Sequence, residues 1–143
     1  MSGSTDDGRS RPAPAIDIAD ESFVVAQPAV LASRFADPRL WHEWWSGLRL
    51  AVVRDRGVKG VRWTVAGALT GSAEIWLEPW RDGTIVHWFL RADPTRREAP
   101  RGSVRAERIT RHYVVDYKRR LNRLKDELER DRPVGAPSSG AGR

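Results

Sequence analysis

The chain contains no cysteine among its 143 residues, which excludes a disulfide framework, a thiolate nucleophile and a thiolate-bound zinc site. Lysine is nearly as scarce. Only Lys59, Lys118 and Lys125 stand among 25 basic residues, and the other 22 are arginine. There is one methionine and there are two tyrosines, against seven tryptophans, so large aromatic volume is supplied mainly by indole rings. No apolar run approaches the roughly 20 residues of a membrane-spanning helix, so no transmembrane segment is predicted. The opening MSGSTDDGRSRPAPA has no apolar stretch of the kind that marks a secretory signal. The expected compartment is therefore cytoplasmic.

The formal net charge is +6, and basic proteins invite a nucleic-acid reading. Two observations weaken it. The arginine bias, together with abundant Ala, Gly and Pro, fits a GC-rich coding sequence whatever the function. Between Arg101 and Arg132 eleven Lys or Arg face six Asp or Glu, so the excess is concentrated in one segment and diluted within it. A basic helix face of Arg108, Arg111, Lys118, Arg119 and Arg123 leaves weak nucleic-acid binding as an alternative. Glu107, Asp116, Asp126 and Glu127 interrupt it, and a nucleic-acid partner is disfavoured.

The stretch from Val61 to Pro94 reads as three consecutive antiparallel strands. Val61, Trp63 and Val65 alternate with Arg62, Thr64 and Ala66, the period of two expected of a strand with one buried face. Gly67–Gly71 turns the chain. Ala73, Ile75 and Leu77 then alternate with Ser72, Glu74, Trp76 and Glu78. Arg81-Asp82-Gly83 supplies a tight turn, because Asp-Gly readily takes positive φ. The third run puts Val86, Trp88 and Leu90 on one face and Ile85, His87 and Phe89 on the other. Both faces of that strand are apolar, so both call for cover.

Around this meander the chain reads as follows. Ser22–Ala26 is a short strand. Gln27-Pro28 opens a helix through Ala36, since proline is well tolerated in a first helical turn. Asp37 caps a second short helix, Arg39–Trp45, in which Trp41 and Trp45 share a face and Trp44 points elsewhere. Leu48, Leu50 and Val52 mark another strand. The longest helix runs from about Val104 to Arg130, with Val114, Tyr117, Leu121, Leu124 and Leu128 at spacings of three and four. Residues 16–132 form one domain, and the Gly/Ser/Pro-rich ends, 1–15 and 133–143, are expected to be disordered tails.

Strand, two short helices, four strands and a long helix make an α+β order that resembles the helix-grip fold of the START/Bet v 1-like (SRPBCC) superfamily. The nearest likeness is to its polyketide cyclase/dehydrase-like branch. The resemblance is carried by Ser22–Ala26, by the opening Gln27-Pro28-Ala29-Val30 and by the aromatic run Asp37–Trp45. The strands GSAEIWLEP and GTIVHWFL and the long C-terminal helix complete it. Such folds usually carry six strands after the two small helices, whereas four are found here. The sheet is thus expected to be reduced by two strands, with a smaller cavity.

The resemblance implies binding of a hydrophobic, lipid-like or polyketide-like small molecule between sheet and long helix, and in some members a cyclase or aromatase reaction. Residues that would line that space are Trp41 and Trp45 at the mouth, Trp63 and Trp88 from the sheet, and Tyr113 and Tyr117 from the helix. Indole and phenol suit the role, because each joins a large apolar body to one hydrogen-bond donor. No catalytic constellation is evident. His42, His87 and His112 are scattered without metal-ligand spacing, and no metal or cofactor is expected. Glu74 and Glu78 flank Trp76 on an outer face, where Arg62 could pair with either. A homodimer or protein partner is the further alternative, through an outer-face patch of Trp76, Ile85, His87 and Phe89.

Overall fold

The computed structural model describes residues 13–130. Most of the two expected tails lies outside the described residues. The elements are β1 (Ile16–Val24), α1 (Pro28–Ala36), a 3-10 turn (Pro38–Leu40) leading into α2 (Trp41–Trp44), β2 (Leu48–Asp55), a second 3-10 turn (Gly57–Lys59), β3 (Gly60–Gly67), β4 (Leu69–Trp80), β5 (Gly83–Pro94) and α3 (Val104–Arg130). The α+β order expected from the sequence holds, and four strands follow the two short helices. The five strands form one antiparallel sheet in the order β1-β5-β4-β3-β2.

β1 is longer than the Ser22–Ala26 expected. It pairs with β5 from Ile16 opposite Ala92 to Val24 opposite Thr84. Its inward positions are Ile16, Ile18, Asp20, Ser22 and Val24. Two polar residues on the buried face disguise the alternation. Lys118 of α3 makes them tolerable, its Nζ lying 2.9 Å from Asp20 Oδ1 and 2.8 Å from Ser22 Oγ.

The turns also differ from expectation. Only Ala68 separates β3 from β4, and Leu69 is a buried strand residue. Gly67 makes this possible at φ 102°, with the carbonyl oxygen of Gly47 only 2.6 Å from where a Cβ would stand. In the β4–β5 hairpin the left-handed residue is Arg81, at φ 54°, rather than a glycine. Gly83 answers a different constraint. A Cβ there would lie 2.3 Å from the Val24 carbonyl oxygen of β1.

α3 covers the β1 side of the inner face and α1 the β3–β4 side, while α2 packs on α3 and reaches β3 through Trp41 on Trp63. The helices are tied to one another as well. Arg34 of α1 meets Glu127 at 3.0 Å, and Arg120 of α3 meets Glu43 of α2 at 2.9 Å. α3 buries Tyr113, Tyr117, Leu121, Leu124 and Leu128; of the stripe read from the sequence, Val114 is only half-buried and Tyr113 takes its place. Asp37 caps the Pro38–Leu40 turn by accepting from the Arg39 amide, and the adjoining Arg39 guanidinium holds its carboxyl below the usual range.

Candidate functional site

Four of the six expected ligand-lining residues meet at the centre of the molecule. Trp45, Trp63, Trp88 and Tyr117 are each at most 1% exposed. Tyr117 stacks on Trp88 with ring centroids 4.1 Å apart, and Trp45 lies 5.2 Å from Trp63 and 6.4 Å from both Trp88 and Tyr117. Trp44 and Phe35 extend the same stack, 4.5 Å apart. Ring-to-ring contact therefore fills the space between sheet and α3 at this level.

Trp45 lies at this centre rather than at a mouth. The reason is local: α2 stops at Trp44, and Trp45 leaves helical geometry at φ −140°, ψ 83°. Consecutive residues Trp44 and Trp45 then both point inward, free of the roughly 100° divergence that a continuing helix would impose. Trp41 stands apart, half-buried, its Nε1 donating to the Phe35 carbonyl at 2.8 Å and its ring edge-on to Trp63 at 5.7 Å.

The polar handles of this cluster are unmet. Nε1 of Trp44, Trp45, Trp63 and Trp88 and the hydroxyl of Tyr117 are buried without a hydrogen-bond partner. An unmatched buried donor costs about 1–3 kcal/mol, and native interiors carry few of them. Burial also pushes the Tyr117 phenol well above its ordinary value of 10, with the nearby Asp20 charge acting in the same direction.

Arg120 is a sixth such group and was missed by the sequence reading. It is buried and lies over the Trp44 ring at 4.9 Å, with one guanidinium nitrogen unpartnered. Its position three residues after Tyr117 and four before Leu124 puts it on the apolar stripe, and that spacing was the available signal.

Tyr113, one helical turn before Tyr117, marks where this core reaches the surface. Its hydroxyl donates to the Ser46 carbonyl at 2.9 Å. Tyr113 lines a groove of about 420 Å3 together with Ala68, Leu69, Pro94, Arg105, Arg108, Ile109 and His112. Burial raises the Tyr113 phenol too, followed by the charge of Asp116. The groove opens along the seam between the β3–β4 turn and the start of α3. Its volume falls within the range of about 300–1,000 Å3 common for small-molecule sites.

The four residues expected to form an outer patch share the opposite face of the sheet. His87 stacks on Trp76 at 4.2 Å and lies parallel to Phe89 at 6.5 Å. Neighbouring Phe23 is 38% exposed, Trp76 39% and Trp80 46%, while Ile85 and Phe89 are half-buried. His87 itself is buried. Its Nε2 lies 2.9 Å from Glu78 Oε1, and its Nδ1 lies 3.6 Å from Glu21 Oε2. Glu78 thus serves His87, and Glu74 pairs with Arg56 at 2.8 Å. The expected partner Arg62 stands opposite Glu74 in register, but Arg56 reaches in from the β2–β3 connection.

Among the described residues no three His, Asp or Glu groups are placed to hold a metal ion, and no helix is long and apolar enough to cross a membrane. The basic side of α3 is partly committed within the fold, Lys118 to β1 and Arg119 to Asp116 at 3.6 Å.

No protein-family model and no curated protein matches the chain. Solved structures do match. The Aha1 dimer from Colwellia psychrerythraea, a solution structure, superposes with a TM-score of 0.56 at 16% identity, over 80% of this chain and 96% of that one. The crystal structure of DR_A0006 from Deinococcus radiodurans gives 0.54 at 14% identity, over 79% and 96%. The fold is a helix grip. At these identities the likeness is one of architecture alone, a Bet v 1-like α+β fold. Within that helix grip the sheet is the reduced, five-stranded form expected from the sequence.

Proposed function

We propose that this helix-grip protein binds a small hydrophobic molecule at the seam between its sheet and α3, without transforming it. The observation that carries the reading is the set of unmet donors on Trp45, Trp63, Trp88 and Tyr117, all within one contiguous aromatic cluster. A core that needed only volume would be served better by Phe and Leu, which leave no polar atom behind. An apolar ligand bearing an oxygen or two would meet those donors. The groove at Leu69, Ile109 and Tyr113 is its approach, and the step from Tyr113 to Tyr117 along α3 leads from groove to cluster. Because the rings now touch, a ligand reaching the donors must part them. Lipid-like and polyketide-like molecules, the classes implied by the resemblance, have the required mix of apolar body and sparse oxygens.

The test is native mass spectrometry of the protein purified from its own host, beside Tyr117→Phe and Trp88→Phe variants that keep a ring and lose a donor. A reproducible co-purified mass that is depleted in both variants, each still folded by circular dichroism, is the expected result. A mass retained unchanged in both would place any ligand elsewhere.

A second reading is association through the outer sheet face, favoured by the exposure of Phe23, Trp76 and Trp80 around the His87 stack. A clean spectrum at twice the chain mass, returning to the single chain in Trp76→Lys, would support it.

A further inference from the structure

The seam groove has a charge pattern that apolar binding alone leaves unexplained. A second depression, of about 620 Å3, adjoins it and shares Ala68, Pro94 and Arg105 with it. Across the two lie Arg49 from β2, Arg96 just after β5, and Arg105 and Arg108 from the first turns of α3. No aspartate or glutamate lines either. The nearest acids are turned to other tasks. Asp93 and Glu98 line a third depression, which meets the other two only at Pro94, and Asp93 accepts there from the Ala15 amide at 2.9 Å, while Asp116 faces His112 at 3.5 Å. Arg105 is fixed in place by donating to the carbonyls of Arg97 and Glu98. Arg49, Arg96 and Arg108 form no ion pair with any described residue.

Four arginines from three separate parts of the chain line a concave surface that no carboxylate residue lines, and like charge gathered in a cleft focuses a positive potential. Guanidinium is the side chain best shaped for a planar or tetrahedral oxyanion, which it meets through paired N–H donors. Directly beside them the floor is apolar: Leu69, Ile109 and the Tyr113 ring. We propose that the groove takes an amphipathic anion, with its carboxylate or phosphate on the arginines and its apolar part on Leu69, Ile109 and Tyr113. This names the ligand class for the binding function proposed above and rests on that reading. The arginines hold the head at the rim, and the tail points along α3 toward Tyr117.

The test is calorimetric titration of the full chain with decanoate, decyl phosphate, decanol and inorganic phosphate. It is repeated on the variant Arg49→Gln/Arg96→Gln/Arg108→Gln, in which the structurally bonded Arg105 is left intact. Both decyl anions should bind at least about tenfold more tightly than decanol, and the stronger of the two identifies the head group. Their affinity should fall several-fold as salt rises from about 50 to about 300 mM. In the variant, folded by circular dichroism, the anions should lose about tenfold while decanol is unaffected. If decanol binds as tightly as the anions and the variant changes nothing, hydrophobic binding stands and the anionic head is wrong. If inorganic phosphate matches decyl phosphate, charge alone acts and the amphiphile is wrong. Binding of the chain to phosphatidylglycerol vesicles without binding of monomeric decanoate would make the surface a membrane contact and overturn the proposal. So would failure of every probe to bind.

Discussion

The two faces of the sheet are built from alternate residues of the same strands, and they treat aromatic groups in opposite ways. On the inner face Trp63 and Trp88 are sealed with Trp44, Trp45 and Tyr117 into a cluster whose donors find no partner. On the outer face Trp76 stays partly in water, and the ring stacked on it, His87, has a carboxylate at each nitrogen. Apolar burial is therefore greatest where polar satisfaction is poorest. A stable core alone gives no reason for that combination, and the ligand proposed above would supply one.

The comparison can be broken most severely at Trp88. Trp88→Ala empties the middle of the inner stack and should cost about 3–5 kcal/mol in urea unfolding; a loss below about 1 kcal/mol would mean that the cluster is loosely packed. Next comes the charge at its edge. Glu43→Ala leaves the buried Arg120 without its carboxylate and should cost about 2 kcal/mol, while Arg120→Met, which keeps the volume and removes the charge, should change stability by less than about 1 kcal/mol. Equal losses in the two variants would show that an unpaired buried charge at Arg120 is not what makes the loss of Glu43 costly.

Tyr117→Phe sharpens the comparison. If the hydroxyl has no partner, its removal should leave the protein equally stable or up to about 1 kcal/mol more stable. The same substitution has a pH signature. The folded-state phenol is raised above its unfolded value of 10, so the neutral form is favoured by folding. That contribution is complete below about pH 10 and is lost as pH rises through the folded value. Alkaline unfolding should accordingly begin above pH 10 and be shallower in Tyr117→Phe; identical alkaline limbs would show that Tyr117 does not set it. The smallest effect is expected outside. Trp76→Ala should cost less than about 1 kcal/mol, because the ring is already partly solvated.

Much of this architecture was legible in the sequence, and the failures have physical causes. β5 and α3 announced themselves through the spacing of their large apolar residues: Val86, Trp88 and Leu90 inward, and Tyr117, Leu121, Leu124 and Leu128 along one stripe. β1 was half hidden because Asp20 and Ser22 face inward, acceptable only through Lys118, which lies 96 residues beyond Ser22. The pairing of Glu74 with Arg56 in place of Arg62 depended on the path of a connection that periodicity does not report.

For the candidate site, the aromatic residues could be named from the sequence, and their mutual contacts could not. A helix that ends one residue early turns Trp45 inward, and no spacing rule foresees this. The convergence of Arg49, Arg96, Arg105 and Arg108 was equally invisible, since it joins residues from three separate parts of the chain.

The pairing of β1 with β5 has a consequence for how the chain comes to be folded. β2 to β5 are joined by connections of one to four residues and can assemble as each strand appears. The nearest pair between β1 and β5, by contrast, is Val24 with Thr84, so the first of these five strands to be synthesised is the last that can be placed. At roughly 5–20 residues per second on the ribosome, β1 waits several seconds for its partner, with Ile16, Ile18 and Val24 unsheltered. Asp17, Asp20 and Glu21, set among those apolar residues, supply the interspersed charge that discourages a waiting strand from pairing with a neighbouring chain. The acids that obscured β1 as a strand are thus well placed to guard it before it becomes one.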